Sequence, residues 1–103
     1  MAKYFIQFQA NLAAWPVDPA QVLVLWEGVV AGGTAMIENG TFSEVNFTSG
    51  LAGYAIVEAE SKDAALAATT PFFPLFTQTI EEAVPWTEAT AAILAGARAA
   101  AGS

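Results

Sequence analysis

From Pro19 to Ile37 the only charged residue is Glu27. A run this apolar belongs in a bilayer, in a core or at an interface, and this choice constrains the rest of the chain. A carboxylate in the middle of a membrane span costs about 2.5–3.5 kcal/mol on insertion scales. No Lys or Arg flanks either end. The run therefore reads as a buried or interface helix, and no membrane partner is expected. Asp18 suits the N-cap, Pro19 the first helical position, and Asn39-Gly40 the stop. On a helical wheel Val22, Leu25, Trp26, Val29, Gly33, Met36 and Ile37 share one broad face. Glu27, Ala31, Thr34 and Glu38 form the opposite stripe, bordered by Leu23, Val24 and Val30. A helix apolar nearly all round needs cover on more than one side. A chain of 103 residues is one domain, so the second cover is expected from another subunit, in a homodimer or higher homo-oligomer.

The residues that are absent narrow the chemistry. With no His there is no Ser-His-Asp triad and no imidazole base or metal ligand. With no Cys there is no disulfide, thiolate nucleophile or iron–sulfur ligation. Lys3, Lys62 and Arg98 are the only cations against ten acidic residues, a net charge of -7. So few cations cannot neutralise a phosphate backbone, so nucleic acid is not an expected partner. No Gly-rich phosphate loop occurs. No metal and no cofactor are expected. The N-terminus lacks a signal-peptide layout, because Gln and Asn interrupt any apolar core there. Asn39-Gly40-Thr41 and Asn46-Phe47-Thr48 match the glycosylation pattern by chance in that reading, and a cytoplasmic protein is expected.

Elsewhere, hydrophobic periodicity sets the elements. Tyr4, Ile6, Phe8, Ala10 and Leu12 alternate with Gln7, Gln9 and Asn11, which predicts a strand over 3–12. Further strands are predicted over 41–48, 54–60 and 75–84. Ser61 is expected to cap a short helix with Asp63 in its first turn. Thr87 is expected to cap a last, Ala-rich helix ending near Ala100. Strand-helix-strand-strand-helix-strand is the ferredoxin-like α+β order. Its antiparallel sheet carries helices on one face, and with few charges to wet the other, two copies sealing sheet to sheet is the natural solution.

The stretch Tyr54-Ala-Ile-Val-Glu-Ala-Glu-Ser-Lys-Asp63, the loop Pro71-Phe72-Phe73-Pro74 and the strand running to Val84-Pro85 resemble the muconolactone isomerase-like branch of the dimeric α+β barrel superfamily. Val17-Asp18-Pro19 and the Gly40 turn before Phe42 also fit that pattern. The resemblance implies a dimeric barrel, with a cavity between sheet and helices for a small hydrophobic molecule. The chain departs from the branch in its apolar first helix, in Phe42-Ser-Glu-Val-Asn-Phe47 and in the added C-terminal helix. No counterpart of the family's catalytic acidic and basic residues is identified, and none is carried over.

Read from the residues themselves, three groups could move a proton. Glu27, among Leu23, Val24 and Val30, could act as a base, against the plainer reading that it faces outward. Tyr54 and Glu58 share a strand face and could form a Tyr–carboxylate pair, against the reading of a solvated strand end. Gln7, Gln9 and Asn11 make a polar stripe that Asn46 and Gln78 could extend, for a ligand carbonyl or for a subunit contact. Phe8, Trp26, Asn46, Phe72 and Phe73 are the expected ligand-binding residues, with Trp26 as a wall and Phe72-Phe73 as a rim; core packing is the plainer account of the aromatics. The leading function is an isomerase- or cyclase-type enzyme that transfers a proton, without metal, on a hydrophobic cyclic or unsaturated metabolite. The alternatives are a cofactor-free monooxygenase of the same superfamily and a non-catalytic ligand-binding or assembly module.

Overall fold

Alternation of side chains builds the sheet, and antiparallel register aligns it. The computed structural model describes residues 1–102. Its strands are β1 (Ala2–Ala10), β2 (Phe42–Phe47), β3 (Ala52–Ala59) and β4 (Phe76–Ala83), in the order β2-β3-β1-β4. Every neighbouring pair is antiparallel. The helices are α1 (Pro19–Glu38), α2 (Lys62–Thr69) and α3 (Trp86–Ala101). This is a ferredoxin-like α+β chain with an added C-terminal helix.

On β1, Tyr4 and Ile6 are buried while Gln7 and Gln9 are exposed; on β3, Ala55, Val57 and Ala59 are buried and alternate with Tyr54, Ile56 and Glu58. The buried set makes the core together with Phe42, Ile80 and Ala65 of α2. The sheet thus has one face under helices, and a second face lined by Phe5, Gln7, Gln9, Tyr54, Thr77 and Thr79 that no helix covers.

α1 keeps its expected bounds. Pro19 takes the first helical position, and Asp18 occupies the N-cap through its backbone, with no side-chain cap bond. At the other end Gly40 adopts φ +83°, a conformation that favours glycine after a helix. By length and composition alone α1 could cross a membrane. Here it lies over the sheet, and no residue of it is fully buried. Val22, Leu25, Trp26, Val29 and Met36 are half-buried, while Leu23, Val24 and Val30 are 60–67% exposed. Ile37, expected on the packed face, is 50% exposed.

Three local expectations are corrected. β1 ends at Ala10 rather than running to Leu12, because Ala10 is the last residue with a partner, Phe76. Asn11 leaves the polar stripe: its backbone N–H donates to Leu75 O at 2.8 Å and its Nδ2 to Pro74 O at 3.3 Å. Thr87 does not cap α3; the N-cap is Pro85, whose carbonyl accepts from the Ala89 N–H at 2.9 Å. Ser61 does cap α2, its Oγ accepting from the Ala64 N–H at 3.1 Å.

α3 leaves this body with almost no contact to it. The chain measures 64 × 28 × 21 Å, with a radius of gyration of 17.7 Å. About 13 Å is usual for a compact chain of 100 residues.

Candidate functional site

α1 crosses the sheet without settling onto it, and a cavity of about 250 Å³ lies beneath its flank. The sheet supplies the floor, with Ile6, Phe8, Ala55, Phe76 and Gln78 in rows directed at the helix. Trp26, Val29, Val30, Gly33, Thr34 and Ile37 form the roof. These roof positions follow one another along a single helical stripe, turned partway from the packed face toward the outer one. That rotation explains why Thr34, expected on the outer stripe, borders the cavity. Val30, Ile37 and Phe47 are each half exposed or more, so the mouth opens between α1 and β2.

Aromatic side chains close both ends. At one end Trp15 and Trp26 lie 4.9 Å apart between ring centroids, and Phe76 meets them edge-on at 6.0 and 6.2 Å. Phe8 meets Phe47 and Phe76 edge-on at 5.3 and 5.7 Å. Edge-to-face pairs at such distances are favourable beyond their burial. Trp15 is fixed by its indole N–H, which donates to Leu75 O at 2.9 Å. At the other end Phe72 stacks on Phe42 at 6.1 Å. Its ring carbons also lie 3.9 and 4.0 Å from where a Cβ on Gly32 would stand. A methyl group at Gly32 would therefore rest against that ring in ordinary contact.

The lining is almost wholly apolar. Its polar groups are Thr34 at the mouth and Gln78 with Thr69 inside. Gln78 Nε2 donates to Thr69 Oγ1 at 2.6 Å, and Thr69 Oγ1 donates to Leu66 O at 3.0 Å. Among the described residues, none that lines the cavity carries a charge.

Of the residues singled out in the sequence, Phe8, Trp26 and Phe72 are brought together in the cavity. Phe73 is 66% exposed and lies outside it. Glu27 is exposed on α1 and does not line the cavity. Tyr54, Glu58 and Asn46 belong to the uncovered side of the sheet. There Tyr54 stacks on Phe5 at 5.7 Å, and its hydroxyl accepts from Asn46 Nδ2 at 3.0 Å. Glu58 stands at the strand end opposite Lys3. Gln78 is separated from Gln7 and Gln9, because register pairs it with Phe8 while they pair with Thr79 and Thr77. Sequence reading missed Thr69 and Trp15. Gln78 could have been found from the phase of β4, since it lies between Phe76 and Ile80, both buried.

The fold and the cavity define an α+β protein with an apolar chamber between helix and sheet. No family model matches the sequence, and no curated protein matches it. Eight solved chains match the structure. One is a muconolactone isomerase, with a TM-score of 0.68 and 16% identity over 81% of this chain and 88% of that one. The chain therefore has the muconolactone isomerase-like fold.

Proposed function

We propose that the protein binds a small hydrophobic metabolite, cyclic or unsaturated, in the cavity beneath α1. The observation that carries this reading is the chamber of about 250 Å³, aromatic at both ends, with one polar point inside. An apolar cavity of about 150 Å³ already admits benzene, so there is room for a one- or two-ring molecule. The arrangement has the usual form of a small-molecule site. Two copies closing their uncovered sheet faces on each other would complete a dimeric barrel and leave both cavities open.

Turnover is the second reading, favoured by the isomerase of the same fold. Isomerisation or cyclisation needs a group that gains and loses a proton beside the ligand. Glu27, Tyr54 and Glu58 do not line the cavity of the single chain, so binding is the stronger reading and proton transfer the finer proposal.

Gly33→Leu tests the site. Nothing lies within 4 Å of a Cβ at Gly33, and the residue borders the cavity, so a leucine there fills space that a ligand would use. Naphthalene should shift the Trp26 indole N–H resonance in the natural chain and fail to do so in Gly33→Leu. The variant should fold with stability unchanged or raised by about 0.5–1 kcal/mol, because glycine is a poor helix former. Equal naphthalene binding by both proteins would place the site elsewhere.

A further inference from the structure

The hydroxyl of Thr69 has one proton, and that proton is directed to the backbone. Its Oγ1 lies 3.0 Å from Leu66 O and 3.4 Å from Ala65 O, which leaves only lone pairs for Gln78. Thr69 is 4% exposed, so no solvent competes for that position. The Gln78 amide presents its nitrogen to that oxygen, Nε2 donating to Thr69 Oγ1 at 2.6 Å. The orientation leaves Gln78 Oε1 as an acceptor that makes no hydrogen bond among the described residues. Inside the chamber, Gln78 thus has its amide nitrogen engaged by Thr69 and its oxygen as the acceptor it can offer among aromatic and aliphatic walls.

We propose that the ligand is uncharged and carries one phenol- or enol-type hydroxyl, which donates to Gln78 Oε1 while its ring or chain fills the apolar space. This rests on the reading of the cavity as a binding site and adds the chemical class of what it takes. The charge distribution supports the neutral class. No residue lining the chamber, among those described, is charged, and Lys3, Lys62 and Arg98 all lie elsewhere. A carboxylate drawn into such a lining loses its hydration and gains no counter-charge. The net charge of -7 also repels anions before they arrive. A hydroxyl, in contrast, exchanges one hydrogen bond to water for one to the amide.

Three probes of one shape separate these possibilities: naphthalene, 2-naphthol and 2-naphthoate, titrated at neutral pH into the full chain and followed by the Trp26 indole resonance. The expected result is that 2-naphthol binds about fivefold to tenfold more tightly than naphthalene. It should also exceed 2-naphthoate by about tenfold or more. In Gln78→Met, of similar length but without the amide, the ratio of 2-naphthol to naphthalene affinity should fall to about one, whatever the change in naphthalene affinity itself. Naphthalene binding with no gain for 2-naphthol in the natural chain would overturn the hydroxyl proposal alone. So would 2-naphthoate matching 2-naphthol, or a preference that survives Gln78→Met. Failure of all three probes to bind would overturn the cavity reading and the proposal together. The comparison in the natural chain decides the matter even if the variant does not fold.

Discussion

Gly53 shows how a single residue holds the open end of the sheet to the cavity floor. It sits on β3 with register partners on both sides, Phe47 and Phe8. A Cβ there would collide with the carbonyl oxygen of Asn46 and would stand 2.6 Å from the Phe8 ring. Backbone cannot yield as a flexible side chain can. Gly53→Ala should therefore destabilise the chain by about 2–3 kcal/mol, at the upper end of overpacking costs. It should also disturb the Phe8–Phe47 pair at the cavity end. Urea unfolding followed by far-ultraviolet circular dichroism measures the first effect. A midpoint unchanged from the natural chain would show that the strand shifts freely, contrary to this account.

Among the helices, α2 is the shortest, and a side-chain hydrogen bond ties it to the chamber. Its N-cap, Ser61, fixes its start, and its last residue, Thr69, receives the Gln78 amide. Ser61→Ala should cost about 1 kcal/mol of stability, the typical worth of such a cap. The variant should nevertheless retain the Gln78–Thr69 bond, because the cap lies two turns away at the other end. Thermal unfolding measures the cost, and the Gln78 side-chain amide resonance reports whether the bond persists.

Element identity was legible in the sequence wherever a pattern ran long. The period-two alternation around Ile6 and Val57 gives strands, and the bounds of α1 follow from Pro19 and Asn39-Gly40. Ends were less legible where partners decide them: β1 stops at Ala10 because pairing stops there, and α3 starts after Pro85 because the extended backbone there supplies the cap. The aromatic part of the site was also legible, since Phe8, Trp26 and Phe72 are large and apolar. Its polar point was legible only through strand phase: by residue type Gln78 reads as part of a stripe with Gln7 and Gln9, but alternation with Phe76 and Ile80 puts it on the buried side of β4, and register sets it beside Phe8. Likewise α1 is so uniformly apolar that its wheel could not distinguish the packed face from the stripe over the cavity.

At the scale of the whole molecule, the chain divides into a body and an arm. The sheet with α1 and α2 holds the core, while α3 extends outward with Trp86, Ile93 and Leu94 exposed by 82, 66 and 50%. A chain ending at Pro85 should therefore unfold with a midpoint close to that of the full chain, within about 0.5 kcal/mol of stability, as for changes remote from a core. Its radius of gyration in X-ray scattering should fall from 17.7 Å toward about 13 Å if both proteins are measured as monomers. Collapse of the truncated chain would mean that the arm carries part of the body's stability.

The loose seating of α1 joins stability to occupancy. This helix is the roof of the chamber, yet it contributes no fully buried residue. Segments with so few buried contacts open at lower free energy than the strands beneath them. Whatever fills the chamber touches Trp26, Val29 and Gly33, and so supplies contacts that the empty chain lacks. By mass action, a ligand that binds only the closed roof raises its opening free energy with each increase in free ligand. The amide protons of α1 thus become a gauge of ligand concentration, exchanging slowly when the chamber is filled and quickly when it is empty, while those of β1 and β3 change little.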